Sequence, residues 1–398
     1  MGTSTTTRVF VYGTLRRGER NHALLGGASF AGPAQSAPRY VLRDLDTHPA
    51  LCEGGSDAIA GELWDCDARV LERLDAFESA DDDYQRAGIA LAAGGSAQAW
   101  FAPARARGAA RIASGDWSAH LDARAARLAC IAVDWSGDRS ASGQRRKLWC
   151  AVAHGGELVE LRAGRTREEL VLELERRIRG ERELAIGLDF CFSLPDWHAE
   201  QLGCRSADEI WRTVAARGEQ WLSVPEPPFW RKRRPTAAQW DGRSPYRRTE
   251  GEGLASRGDA PLSVYQLVGA QVGTGSLRGM PYLPRLRAAG AAIWPFDPLR
   301  LPVVLEIYPR VFTGGLNKRS ANARELFLAR LGSARIAPQL RALALRSDDA
   351  FDAAVSALGM AAMARELVRL PDARDARERL EGRILRPARA GASAPRLA

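Results

Sequence analysis

The chain predicts two folds in tandem, a small α+β unit followed by a larger α/β unit, and three observations carry that prediction. Val9-Phe10-Val11-Tyr12-Gly13 is a β-branched and aromatic strand broken by a glycine turn. A second series of apolar strands opens at Cys130-Ile131-Ala132-Val133-Asp134. Between them, residues 121–128 (LDARAARL) read as a short connector, which sets the domains at 1–124 and 129–387. A length of 398 residues, 45% hydrophobic and 26% charged, suits two soluble globular domains.

In the first unit, residues 8–15 form a strand ending at glycine, with further strand candidates at 39–44, 58–64, 86–92 and 97–101. Val70, Leu71, Leu74 and Phe77 are spaced for one face of a helix over 67–77. Gly115-Asp116-Trp117 and a short helix close a small, β-barrel-like unit.

In the second unit, strands at 130–134, 148–153 and 157–162 make a meander, followed by a helix at 167–179 and a strand at 184–189. That order continues an antiparallel meander into a parallel βα arrangement in one mixed sheet. Residues 191–300 are a long insertion rich in Trp, Pro and Arg, with helix candidates at 206–217 and 262–272. A strand at 303–308 follows, then helices at 320–331 and 335–345, and a last one over 350–367 with Ser347 as N-cap. The composition of the tail beyond Pro387 predicts disorder.

Composition narrows the function classes. No run of eighteen apolar residues predicts a membrane span, and no basic-then-apolar leader is visible at the N-terminus. Cys52, Cys66, Cys130, Cys150, Cys191 and Cys204 are scattered without a Cys-x-x-Cys pair, which favours reduced, buried thiols and a cytoplasmic location. The net charge of +9 divides into −3 over residues 1–125 and +12 over the remainder, so a polyanionic partner belongs to the C-terminal part. Arginine usage throughout the chain offers a plainer account of the same excess.

Candidate site residues fall into three groups. In the first, the Tyr12-Gly13-Thr14-Leu15 turn can present backbone amides to an anion, and Glu78 lies at the helix end. Taken singly, these read as a hairpin and a solvated carboxylate. With Arg16-Arg17-Gly18, Asn21-His22, Gly61-Glu62-Leu63-Trp64, Tyr84-Gln85-Arg86 and Gly115-Asp116-Trp117, residues 8–122 resemble the γ-glutamylcyclotransferase family, in its AIG2-like, γ-glutamylamine cyclotransferase form. The resemblance implies release of 5-oxoproline from a small γ-glutamyl substrate without a cofactor. It assigns Tyr12, Gly13, Thr14 and Leu15 to substrate binding and Glu78 to acid–base catalysis. Asp75, one turn earlier, is expected to face solvent, and His22 to be structural.

The second group is a set of acids on or beside apolar strands, Asp134, Asp189 and Glu306, with Asp349 and Asp352 at i and i+3 on the last helix. Such carboxylates repel one another unless a cation holds them, and Mg²⁺ or Mn²⁺ prefers oxygen ligands. Singly, each also reads as a cap or a surface charge. Val133-Asp134, Gly187-Leu188-Asp189 with Leu194-Pro195, Leu305-Glu306-Ile307-Tyr308-Pro309 and Asp348-Asp349-Ala350-Phe351-Asp352-Ala353 resemble the domain-of-unknown-function 429 family over about 130–370. Where that family has a glycine-rich turn after its first acid, this chain has Trp135-Ser136-Gly137-Asp138. The resemblance implies an RNase H-like fold and a metal-dependent nuclease, with Asp134, Asp189, Glu306 and Asp349 catalytic and Asp352 a further metal ligand.

The third group is Phe229-Trp230-Arg231-Lys232-Arg233-Arg234, with Trp240, Tyr246, Arg247 and Arg248 beyond, an interleaving of aromatics and cations that suits phosphate contact and base stacking. A surface loop whose Trp residues dock onto the core is the other reading. A non-catalytic ligand- or nucleic-acid-binding protein on degenerate enzyme domains is the alternative for the whole chain.

Overall fold

A computed structural model describes residues 6–78, 84–102, 104, 106–232, 236, 240–252, 263–267, 272–332 and 334–387. The chain divides into two compact units, Met1–Ala125 with Arg369–Pro371, and Ala126–Val368 with Asp372–Ala398.

The first unit holds strands β1 (Thr7–Val11), β2 (Ser29–Gln35), β3 (Tyr40–Asp44), β4 (Pro49–Glu53), β5 (Ala60–Cys66), β6 (Gln85–Ala90), β7 (Ser96–Phe101) and β8 (Ala110–Arg111), with helix α1 (Ala68–Glu78) between β5 and β6. Five strands pair in the order β2-β5-β1-β7-β6, and β4-β3-β8 make a second sheet. β1 runs antiparallel to β5, with Val9 opposite Trp64 and Val11 opposite Glu62, and parallel to β7. Alternation therefore turns Val9 and Val11 to one face, where they pack with Leu15, Trp64, Val70, Leu74 and Trp100. Gly61 is required on the other face: a Cβ there would meet the Phe10 ring at 2.5 Å and the Val11 carbonyl at 2.6 Å. The expected connector at 121–128 is instead mostly helical, as α2 spans Trp117–Arg127 and buries Trp117, Leu121 and Ala125.

The second unit opens with β9 (Ala129–Asp134), α3 (Ala141–Lys147), β10 (Trp149–His154), β11 (Glu157–Arg162), α4 (Arg167–Gly180) and β12 (Leu184–Leu188). α4 starts on a capping box in which Thr166 and Glu169 bond each other's backbone amides, the Thr-x-x-Glu spacing written in the sequence. Then come α5 (Asp196–Gln201), α6 (Ala207–Ser223), α7 (Arg248–Gly251), α8 (Val272–Gly279), α9 (Leu283–Ala288), β13 (Ala292–Ile293) and β14 (Val303–Glu306). Last are α10 (Arg310–Thr313), α11 (Ala321–Arg330), α12 (Pro338–Ala344), α13 (Asp348–Ala362), α14 (Ala364–Leu367) and α15 (Ala376–Glu381).

Six strands form one mixed sheet in the order β11-β10-β9-β12-β14-β13. β10 is antiparallel to both β9 and β11, and β9, β12 and β14 are mutually parallel. α13 packs across β9, β10 and β11 with almost its whole surface buried, as its Ala-rich sequence requires. Ser347 caps it, its hydroxyl accepting from the Ala350 amide, and the run expected to 367 is broken at Met363, with α14 as a separate short helix beyond it. Of the expected helix at 262–272, residues 263–267 are a turn and a bridge, and α8 begins at Val272. The tail beyond residue 387 lies outside the described residues. The six cysteines are buried and unbridged. Among the described residues no helix is long and apolar enough to cross a membrane.

Candidate active site

In the first unit, β1 delivers the chain into the Tyr12–Leu15 turn. The Arg16 amide donates to the Gly13 carbonyl at 3.1 Å, and the Asn21 amide to the Thr14 carbonyl at 3.0 Å. Asn21 Nδ2 donates to Thr14 Oγ1 at 3.0 Å, and His22 Nδ1 lies 3.1 Å from the Leu15 carbonyl while its ring packs on Trp64. These bonds fix the turn through its carbonyls and side chains. No described residue accepts a hydrogen bond from the amides of Gly13, Thr14 or Leu15. A Cβ on Gly13 would meet Pro49 Cγ at 2.8 Å, so the close approach of β4 demands glycine.

Tyr12 is buried, and its hydroxyl donates to the Trp100 carbonyl at 2.6 Å. Burial, then the charges of Tyr84 and Glu78, push that hydroxyl well above its ordinary value. Tyr84 donates to the Pro49 carbonyl at 3.2 Å. Tyr12, Tyr84, Pro49 and the glycine turn thus lie together, and Glu78 at the end of α1 is within electrostatic reach. Burial alone lifts the Glu78 carboxyl to about 7. A carboxyl in that range exchanges a proton near neutrality.

The structure corrects the expectation for Asp75. It accepts a hydrogen bond from Trp100 Nε1 at 3.1 Å and pairs with Arg86 at 3.1 Å, so it is committed to packing β7 and β6. Glu62 is buried and equally engaged, by the Arg17 amide and by Trp64 Nε1, each at 3.1 Å. Sequence reasoning missed Pro49, which no local pattern connects to Gly13.

In the second unit, the Asp189 amide donates to the Val133 carbonyl at 3.1 Å, so β9 and β12 end side by side and carry Asp134 and Asp189 at the same level. Asp349 and Asp352 come from the first turns of α13. Burial pushes Asp134 well above the usual carboxylate range, with Asp352, Asp189 and Asp349 adding to it. Burial and Asp352 raise Asp189 to about 8, and burial and Asp348 raise Asp349 to about 6. The four aspartates are therefore neighbours. Lys318 pairs with Asp352 Oδ2, while the other oxygen, Oδ1, is buried with no hydrogen-bond partner. An orphaned carboxylate oxygen and four aspartates against one paired ammonium fit the chemistry of a hard divalent cation.

Glu306 adds to the rise of Asp189 but, unlike the four aspartates, is paired with an arginine, which departs from its expected role as a metal ligand. It pairs with Leu188 across β12 and β14, so the pleat turns it to the face opposite Asp189. There Arg247 bonds both its oxygens and also Glu250, and the Phe192 amide donates to it at 2.9 Å. Cys191, Glu250 and Glu306 offer ligand atoms within 4.8 Å of one another, but the Arg247 guanidinium already compensates both carboxylates. Lys318 was invisible as a site residue, since it sits in an irregular segment, whereas Arg247, expected among the cations of the basic insertion, is buried on Glu250 and Glu306.

In the basic insertion, Arg231 and Lys232 are exposed, and Arg231 donates to the Leu222 carbonyl at 2.7 Å. Arg233 and Arg234 lie outside the described residues. Phe229, Trp230 and Trp240 are buried, Trp230 edge-on to Trp240 at 5.5 Å, so these rings are core and not a stacking platform.

The profile of the family described as gamma-glutamyl cyclotransferase, AIG2-like, matches residues 9–119. A putative gamma-glutamylcyclotransferase of Vibrio cholerae is 38% identical over 109 residues, which cover 27% of this chain and 93% of that protein. Bovine gamma-glutamylaminecyclotransferase is 40% identical over 93 residues, 21% of this chain, and the chain spans only 55% of its length. A solved AIG2-like protein from Mus musculus is 28% identical, with 24% of this chain and 76% of that one covered at a TM-score of 0.22. Through residues 9–119, the chain belongs to the gamma-glutamyl cyclotransferase, AIG2-like family.

Proposed function

We propose that the first unit releases 5-oxoproline from a small γ-glutamyl compound, with Glu78 as the proton shuttle. The observation that carries this is the pairing of three undonated turn amides with a carboxyl held near 7. The amides of Gly13, Thr14 and Leu15 hold the substrate's α-carboxylate. Its α-amine attacks its own γ-carbonyl carbon, closing the five-membered lactam, and the bond from that carbon to the leaving nitrogen breaks. Glu78 takes a proton from the attacking amine and returns one to the leaving amine. Closure of a five-membered ring has a high effective molarity, so positioning and one proton relay are enough. Glu78→Gln should lower kcat by at least about a hundredfold with KM little changed, read as 5-oxoproline release. Full activity in that variant would remove Glu78 from the chemistry.

A second reading applies to the other unit: an RNase H-like, divalent-metal-dependent nuclease. It is supported by the sheet order, a meander joined to parallel strands, and by the gathering of Asp134, Asp189, Asp349 and Asp352. Those four would hold Mg²⁺ or Mn²⁺, which when bound activates water and stabilises a leaving oxygen. The chain's own residues keep the site dry and acidic, with Asp352 anchored on α13. Arg231, Lys232, Arg233 and Arg234 would then meet phosphates alone. Replacing all four by alanine should weaken binding of a single-stranded oligonucleotide and flatten its salt dependence by roughly 0.7 for each phosphate the loop no longer neutralises. An unchanged slope would exclude the loop from the interface.

A further inference from the structure

Lys147, Lys232 and Lys318 are the three lysines among 57 basic residues. A chain so committed to arginine nevertheless places lysine at 318, in the middle of its acid cluster. The two cations are not equivalent there. Guanidinium is a broad planar fork, whereas ammonium is a compact point charge on a flexible stem.

Lys318 sits in the loop between α10 and α11, its side chain 30% exposed and paired with Asp352, which is 2% exposed. It also lies within electrostatic reach of Asp189 and Asp134, opposing part of the rise that burial and the neighbouring acids impose on both. The loop begins at Gly314 and Gly315, which meet no neighbouring atoms where a Cβ would project, and Gly314 has φ +61°. It ends at Ser320, which caps α11 by accepting from the Ala323 amide. The backbone of Lys318 is held, its amide donating to the Leu316 carbonyl at 2.9 Å and its carbonyl accepting from Arg324 Nη1 at 2.6 Å, so the freedom left to it is that of its long side chain. Asp352 Oδ1, beside the oxygen that Lys318 holds, is buried without a partner.

We propose that Lys318 is the resident cation of the acid cluster, holding the place of the divalent ion and leaving the carboxylates when the ion binds. This rests on the reading of the aspartates as ligands for such an ion. One ammonium cannot neutralise four carboxylates, so a doubly charged ion outcompetes it. Without either, the cluster would carry uncompensated buried charge. The same exchange frees a partly exposed cation on a flexible side chain, able to meet an anionic substrate once the metal is in place.

The first test uses the full-length wild-type protein. An amine-acylating reagent, read by mass spectrometry with and without saturating Mn²⁺, reports each of the three lysines separately. The expected result is a severalfold rise in Lys318 acylation on adding Mn²⁺, with Lys232 unchanged. Calorimetric Mn²⁺ binding with Lys318 acylation constant or reduced would overturn the proposal and leave the metal reading standing. Absence of any Mn²⁺ binding would overturn both. The second test compares variants. Lys318→Met should bind Mn²⁺ at least about tenfold more tightly, because a competing charge is gone, whereas Lys318→Arg, which keeps the charge, should not. Equal affinities for wild type and Lys318→Met, or tightening in both variants, would refute the exchange.

Discussion

At the scale of single residues, two acids on one helix have opposite fates, and their partners decide it. Asp75 is bonded to Trp100 and Arg86, so its charge is spent on packing. Glu78 receives no hydrogen bond from a described residue and is lifted to about 7 by burial. A pH profile follows from the sign of that shift. The carboxylate is the form that accepts the amine proton, so kcat/KM should rise with pH through about 7 and level above it. Glu78→Asp, with a shorter reach, should keep the profile's shape at a lower ceiling. A profile flat between about pH 5.5 and 8 would contradict the assignment. Stability moves the other way. A folded value above the ordinary 4.5 means that the folded state binds the proton more tightly, so stability falls as pH rises from about 4.5 to about 7. Carrying that charge costs up to about 3 kcal/mol, an upper limit because Glu78 is partly exposed. Glu78→Gln should remove that slope in thermal melts.

At the scale of elements, strands were legible and their partners were not. Apolar runs with the right period marked β1, β9, β10 and β12, because a strand buried on both faces leaves a local signature, whereas only Leu158 and Leu161 of β11 are buried. The exposed strand β2 left none. Register is a matter between strands, and it decided the fate of Glu306. The motif Leu305-Glu306-Ile307 suggested a further metal ligand, yet pairing with Leu188 sends Glu306 to the face where Arg247 waits. The docking of Trp230 and Trp240 is the same lesson in the insertion, where interleaved cations and aromatics look alike whether the rings point in or out. The Arg247 network carries its own expectation. Arg247 is fully buried between Glu250 and Glu306, so Arg247→Met strands two buried carboxylates and should cost about 3–5 kcal/mol in chemical denaturation. A loss below about 1 kcal/mol would mean that the carboxylates are satisfied without it.

At the scale of the whole molecule, the two candidate sites rest on separate cores, one around Val9, Trp64 and Trp100, the other around Ile131, Ile186 and Trp211. The N-terminal family pattern was readable because its motif residues surround one turn, whereas Lys318 reaches the second unit's acid cluster from a segment with no period. Separate cores imply separable losses. Glu78→Gln should abolish 5-oxoproline release and leave Mn²⁺ affinity as it was, while Asp134→Asn with Asp189→Asn should do the reverse. The second pair also has a sign that a purely structural cluster would not give. Burial holds Asp134 and Asp189 above their unfolded values, so at about pH 8 both raise the energy of the metal-free fold. Replacing them with asparagine should therefore raise the metal-free melting temperature at that pH and erase the further rise that Mn²⁺ confers. A protein that had kept these acids for stability would melt lower once they were gone. That outcome would end the case for a metal site, whereas a more stable protein that no longer responds to Mn²⁺ would show charge retained at a cost, as function requires.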